Sequence, residues 1–169
     1  MKAVKNAVFS CMAVGLVGGA CAASYLSPEQ VAVAPGGKTV YVTAATSGKV
    51  LAFDVAAAKV AGEWPLKLDP SGIAVAGDGT VYVTAGGVAG SLLKLNPAGK
   101  VLGRVVTGHT PMAPVVSADG QKVYVLNRFD NTVVAVDAAK MKVSGLTAVL
   151  REPVAAVLGA GGKLLFVAN

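Results

Sequence analysis

A period of about 42 residues constrains this chain more than any other feature of its sequence. Prolines that precede an apolar run stand at Pro28, Pro70, Pro111 and Pro153, at spacings of 42, 41 and 42. The aromatic residue of the strongest apolar run recurs at Tyr41, Tyr82, Tyr124 and Phe166, at spacings of 41, 42 and 42. Asp54, Asn96 and Asp137 close a later run at spacings of 42 and 41. Three rulers laid on different residue types agree, so the chain is one unit written several times over.

Within the unit, apolar runs of strand length alternate with turn residues. The third copy predicts strands over Ala113 to Ser117, Lys122 to Leu126, Thr132 to Val136 and Met141 to Val149. The second predicts Ile73 to Ala76, Thr80 to Thr84, Ser91 to Leu95 and Lys100 to Val106. Gly37, Gly79, Gly120 and Gly162 recur just before the second strand, where a tight hairpin needs positive φ. Composition agrees: Ala, Val and Gly fill 81 of the 169 positions, suiting close-packed sheets joined by turns. Four short strands per 40–45 residues is the pattern of a β-propeller blade. The predicted fold is therefore all-β, with blades at about 28–69, 70–110 and 111–152 and the first two strands of a fourth at 153–169.

The strongest strands, Val40-Tyr41-Val42-Thr43, Val81-Tyr82-Val83-Thr84, Val123-Tyr124-Val125-Leu126-Asn127 and Leu165-Phe166-Val167-Ala168-Asn169, resemble the YVTN-type β-propeller repeat. The third copy matches best, through Ser117-Ala118-Asp119-Gly120, Asp130-Asn131-Thr132-Val133 and Val136-Asp137, and Gly108-His109-Thr110-Pro111 is similar to the family's seam between repeats. Copies one and two carry Ala44 and Ala85 in place of the loop Asn. The resemblance spans Pro28 to Asn169 and implies a ring of about seven blades. It also implies bacterial export, and a kinship with propellers found beside c-type haem domains and with lactonase propellers.

Residues 23–169 hold about 3.5 repeats, too few for a ring of four to eight blades. The expectation is that this is the N-terminal part of a longer reading frame. The alternative is a half-propeller completed by a second chain; either the remaining blades or that chain must close the ring.

Ahead of the repeats, residues 1–22 read as a signal peptide. Lys2 and Lys5 precede an uncharged run from Ala7 to Gly19, and Ala20-Cys21-Ala22 supplies small residues for cleavage. The run is shorter than the roughly 20 residues a membrane-spanning helix needs, so no span is expected after cleavage. A lipoprotein anchored through Cys21 is the alternative. Cleavage removes Cys11 and Cys21, and takes two lysines from a formal net charge of +6, leaving +4. The expected location is periplasmic or extracellular, at the cell envelope. No CxxCH or CxxC occurs, so no cofactor is expected in this stretch, and haem c enters only through a further downstream domain. Positive charge is scattered, which argues against nucleic acid.

In a propeller the seam between repeats and the loop after the second strand are expected to share one end of the channel. Seams contribute Glu29, Lys67, Asp69, His109, Arg151 and Glu152; loops contribute Asn127, Arg128, Asp130 and Asn131. In a chain with only 14% charged residues this grouping suggests a channel-mouth binding surface, best represented by Lys67, Asp69, His109, Asn127, Arg128, Asp130, Arg151 and Glu152. The plainer reading is that seams and loops are where solvated charge belongs. His109 alone is a weak metal ligand or general base, and no metal site is assigned. Asp54 and Asp137 read as turn formers, and Trp64 as packing in an outer strand. No catalytic constellation appears: there is no G-x-S-x-G and no H-E-x-x-H.

The functional expectation is an exported, non-catalytic scaffold that binds a protein, a glycan or an envelope component. The alternative, allowed by the resemblance, is the propeller part of a larger periplasmic redox or lactonase-like enzyme whose active residues lie beyond residue 169.

Overall fold

The computed structural model describes residues 26–169. The leader assigned to residues 1–22, with Cys11 and Cys21, lies outside the described residues.

Fourteen strands form three four-stranded antiparallel sheets and one two-stranded hairpin. The first sheet holds β1 (Pro28–Val33), β2 (Thr39–Ala44), β3 (Lys49–Asp54) and β4 (Lys59–Pro65). The second holds β5 (Pro70–Val75), β6 (Val81–Ala85), β7 (Gly90–Leu95) and β8 (Val101–Gly108). The third holds β9 (Pro111–Val116), β10 (Lys122–Asn127), β11 (Thr132–Asp137) and β12 (Lys142–Ala148). The hairpin pairs β13 (Ala155–Gly159) with β14 (Leu164–Ala168). In every sheet spatial order follows chain order, so each is an up-and-down meander, and first strands abut in sequence: β1 on β5, β5 on β9, β9 on β13. This is a β-propeller arc of three complete blades and half of a fourth, as the period predicted.

The inner strands begin earlier than expected, at the prolines rather than after them. Pro70 pairs with Ala85 and Pro111 with Asn127, each followed by an irregularity in register. Proline lacks an amide to donate, and the first position of a strand tolerates that loss.

The turns follow the residues assigned to them. Gly37, Gly79, Gly120 and Gly162 all have φ between 69° and 86°. Asp54, Asn96 and Asp137 fold back on their own backbone: Asp54 Oδ1 accepts from Ala57, Asn96 Oδ1 from Ala98 and Lys100, and Asp137 Oδ1 from Ala139 and Lys140.

Two cores lie between blades. Tyr41, Val50, Ala52 and Trp64 of the first meet Ile73, Val81, Val83, Leu93 and Leu95 of the second. Tyr82 and Leu92 on the second blade's other face meet Val123, Val125, Val134 and Val136 of the third. Strand alternation places successive residues of β6 on opposite faces, so the second blade is buried on both sides. Side chains also stitch the inner strands across blades. Gln30 Oε1 accepts from the Ile73 amide at 3.2 Å, and the Ser71 hydroxyl donates to the Pro111 carbonyl.

Backbone bonds fix which loops share an end. Ala45, Gly86 and Arg128, each just past a second strand, donate to Ser27, Asp69 and Thr110, each just before a first strand, at 3.0–3.1 Å. Leu66, Thr110 and Val149, each past a fourth strand, donate to Gly48, Gly87 and Asn131 of the same loops at 2.8–2.9 Å. Seams and second-strand loops therefore meet at one end of the arc, as the blade topology requires. Among the described residues no helix is long and apolar enough to cross a membrane.

Candidate functional site

The end of the arc where seams and loops meet carries a cluster built on the third blade. Asn127 ends β10 and is fully buried; its side-chain amide donates to Thr107 O at 3.0 Å and Thr132 Oγ1 at 3.1 Å. That ties the loop root to the seam arriving from the second blade. Gly108 makes the approach feasible: a Cβ there would lie 2.7 Å from Asn127 Cγ and 2.5 Å from Asp130 Oδ2. Forty-two residues later Asn169 also reaches the arriving seam, donating to Leu150 O at 2.6 Å, one position nearer the seam proline. The Asn of the repeat is thus a seam clasp.

Beyond the clasp the loop turns outward. Asp130 Oδ2 accepts from the His109 amide at 2.7 Å, fixing the seam against the loop. Arg128 Nη2 meets Glu152 Oε2 at 3.0 Å, and Asn131 Oδ1 receives the Glu152 amide at 2.8 Å, fixing the next seam on the other side. Between these two braces stands Phe129, 53% exposed. The His109 ring meets it edge-on at 5.1 Å, and the Arg128 guanidinium carbon lies 5.4 Å from its centroid. His109 Nδ1 lies 3.0 Å from Thr110 Oγ1.

Of the eight residues singled out from the sequence, His109, Asn127, Arg128, Asp130 and Glu152 converge here. Arg151 is peripheral, 89% exposed at its side chain and 3.9 Å from Glu152 Oε1. Lys67 and Asp69 belong to the first seam, one blade further back; Asp69 contributes its carbonyl to Gly86, and Lys67 sits at φ 58°. Glu29 falls inside β1 rather than in a seam. Phe129 was within the predicted loop but carried no assignment; the signal for it was a large aromatic in a loop of a chain with only 5% aromatics. Trp64 is buried, with its ring 4.9 Å from that of Tyr41, in agreement with a packing role.

The opposite end of the arc holds a cleft of about 360 Å³ between the second and third blades, lined by Asp78, Tyr82, Lys94, Lys122 and Asp137 among others. Lys94 Nζ crosses it to Ala138 O at 2.8 Å. Hydrogen bonds from the backbone and hydroxyl of Thr80 hold the Asp78 carboxyl below the usual carboxylate range, and Lys94 adds to this. Burial raises the Tyr82 phenol, and the Asp78 charge raises it further. Both carboxylates are tied to their own turns.

Among the described residues no three His, Cys, Asp or Glu side chains gather as a metal-binding group. No family model matches the chain, and no curated protein matches it. Among solved structures, a chain of hydrazine synthase from Kuenenia stuttgartiensis is similar in fold, with a TM-score of 0.79 at 21% sequence identity. The match covers 90% of this chain and 45% of that one, so the chain spans under half the length of that neighbour.

Proposed function

We propose that this chain is an exported propeller module of the YVTN type that binds a protein partner through the loop end of its third blade. The observation that carries this reading is the braced Phe129. An exposed aromatic flanked by a guanidinium and an imidazole has the composition of an interface hot spot. The polar residues around it spend their hydrogen bonds on holding the loop in place, through Asp130 to His109 and Arg128 to Glu152. A rigid, half-exposed aromatic anchor suits recognition with little ordering cost. A leader at residues 1–22 would direct the chain to the cell envelope, where its partner is expected.

The test is site-specific photo-crosslinking in the exporting cell. A photoreactive residue at Phe129 should capture one discrete adduct, and Arg128→Glu should abolish it. The same probe at Gly36, in a turn at the other end of the blades, should capture nothing. Equal capture at both positions, or none at either, would reject the binding surface.

A second reading is a propeller that forms part of a larger redox enzyme. The structural likeness to a chain of hydrazine synthase, about half of which this chain spans, is the observation that favours it. That likeness carries the fold alone. The purified full-length gene product distinguishes the readings: a haem absorbance band supports the redox enzyme, and a colourless product supports the binding module.

A further inference from the structure

The three complete blades repeat one plan, and the second departs from it in the middle of its sheet. The central tyrosine faces an alanine across the sheet in the first blade, Tyr41 with Ala52, and in the third, Tyr124 with Ala135. In the second blade Tyr82 faces Lys94. Ordering a lysine side chain costs more entropy than ordering an alanine, so packing alone does not call for one here. Both Lys94 and Tyr82 line the cleft of about 360 Å³ at the end of the blades away from Phe129, and both of its walls come from complete blades. Tyr82 is 2% exposed, yet its hydroxyl makes no hydrogen bond among the described residues. Its counterpart Tyr41 packs on the Trp64 ring, whereas Tyr82 opens on the cleft.

We propose that this cleft binds a small neutral polyol of the size of a sugar unit. Its walls offer open donors and open acceptors together. Lys94 gives one ammonium proton to Ala138 O at 2.8 Å and keeps the others, the Tyr82 hydroxyl is uncommitted, and Lys122 adds a second ammonium from the third blade. Asp78 accepts one hydrogen bond from Thr80 on each oxygen, and Asp137 Oδ1 accepts from two amides. A carboxylate has about four acceptor positions, so each has room for a further donor. A hydroxyl group both donates and accepts, and a polyol presents several in a small volume. The formal charges of Asp78, Asp137, Lys94 and Lys122 cancel, so an anion would meet two carboxylates and a cation two ammoniums. The volume lies at the low end of the roughly 300–1,000 Å³ of ligand pockets, which suits a ligand of this size. The site goes beyond the Phe129 surface and does not rest on it.

The experiment is ligand-observed saturation-transfer NMR on the full chain, titrated with glucose and with N-acetylglucosamine, and with inorganic phosphate added as a competitor. Wild type should give saturable transfer to at least one of the two sugars, and phosphate should not displace it. Tyr82→Phe keeps the ring and removes only the hydroxyl; it should weaken sugar binding about three- to tenfold, as for loss of one hydrogen bond. Its melting temperature should match wild type, because that hydroxyl bonds nothing in the fold. Lys94→Ala installs the residue that the first and third blades carry, and it should weaken binding at least about tenfold, as for loss of a charged donor. Transfer to neither sugar would overturn the proposal. Displacement by phosphate would overturn the ligand class, and a Tyr82→Phe variant that melts lower yet binds as wild type would make the hydroxyl structural. None of these failures touches the Phe129 surface, which the crosslinking reads at the other end of the blades.

Discussion

Gly99, in the turn after β7, lies against the indole ring of Trp64 on the neighbouring blade. A Cβ on Gly99 would stand 2.3 Å from Trp64 Cδ1 and Cγ. Trp64 in turn packs on Tyr41 and closes the outer part of the first inter-blade core. A turn glycine of one repeat thus shapes the socket for an aromatic of the repeat before it.

This contact separates two costs that glycine substitutions usually mix. Gly99 and Gly36 share φ 83°, but a Cβ on Gly36 would meet nothing within 4 Å. Both Ala variants carry the left-handed backbone penalty of about 1–2 kcal/mol. Gly99→Ala is expected to cost about 1–3 kcal/mol more than Gly36→Ala, the overpacking increment. Denaturant unfolding of the two variants measures the difference.

The seam clasp makes a second comparison. Asn127 is fully buried, whereas Asn169 makes a similar bond to its own seam, at Leu150 O, while exposed. Asn127→Ala should destabilise by about 1–3 kcal/mol, because Thr107 O loses its side-chain donor in a buried setting. Asn169→Ala should stay within about 0.5 kcal/mol, as surface changes do. Equal thermal shifts for the two variants would show that the clasp is not what holds the seam.

The Arg128–Glu152 pair is half-exposed on both sides, 40% at each side chain. A double-mutant cycle with Arg128→Ala and Glu152→Ala should return a coupling of only about 0.2–1 kcal/mol. Raising salt toward about 1 M, where the Debye length is about 3 Å, should remove most of it. A larger, salt-insensitive coupling would contradict a role limited to positioning the loop.

Acid should weaken the fold through its turns. Folding lowers the Asp78 carboxyl below its ordinary 3.8, chiefly through the hydrogen bonds from Thr80. Asp119 is lowered by the Ser117 hydroxyl and the Gln121 amide, and Asp137 by the amides of Lys140 and Ala139. A depressed carboxyl binds fewer protons in the folded state, so its contribution is present above 3.8 and is lost as pH falls through the lower folded value. Melting temperature should therefore drop as pH descends below 3.8. Asp78→Asn should be less stable than wild type near neutrality, with the gap closing in acid.

Much of this architecture was legible in one dimension because a propeller is a local code. Each blade is a meander whose strands pair with their sequence neighbours, so alternation, turn glycines and a proline at each seam suffice to write it. That is why the aromatic series Tyr41, Tyr82, Tyr124 and Phe166 reported both blade count and strand centre. The inner strands begin two or three residues before the predicted starts, at Pro70 and Pro111, since a proline reads as a break and pairing partners across the sheet decide whether it is one. Five of the eight charged or polar residues expected at the channel mouth do meet, because seam and loop are joined by backbone bonds in every blade. Lys67 and Asp69 stand apart because a seam's neighbours are set by its own blade, and their blade bears Gly86 and Gly87 where the third bears Arg128 and Phe129.

The sequence by itself determined the all-β class, the period and the turn residues, all of them consequences of contacts between residues near in the chain. Only the tertiary structure decided that Phe129 stands braced between His109 and Arg128, that Gly99 yields to Trp64, and that Glu152 takes a 3.0 Å bond from Arg128 across 24 residues beside a looser 3.9 Å contact with adjacent Arg151. Those arrangements depend on how far one blade is rotated against the next, and that rotation is fixed by the packing of two buried faces, which no single repeat contains.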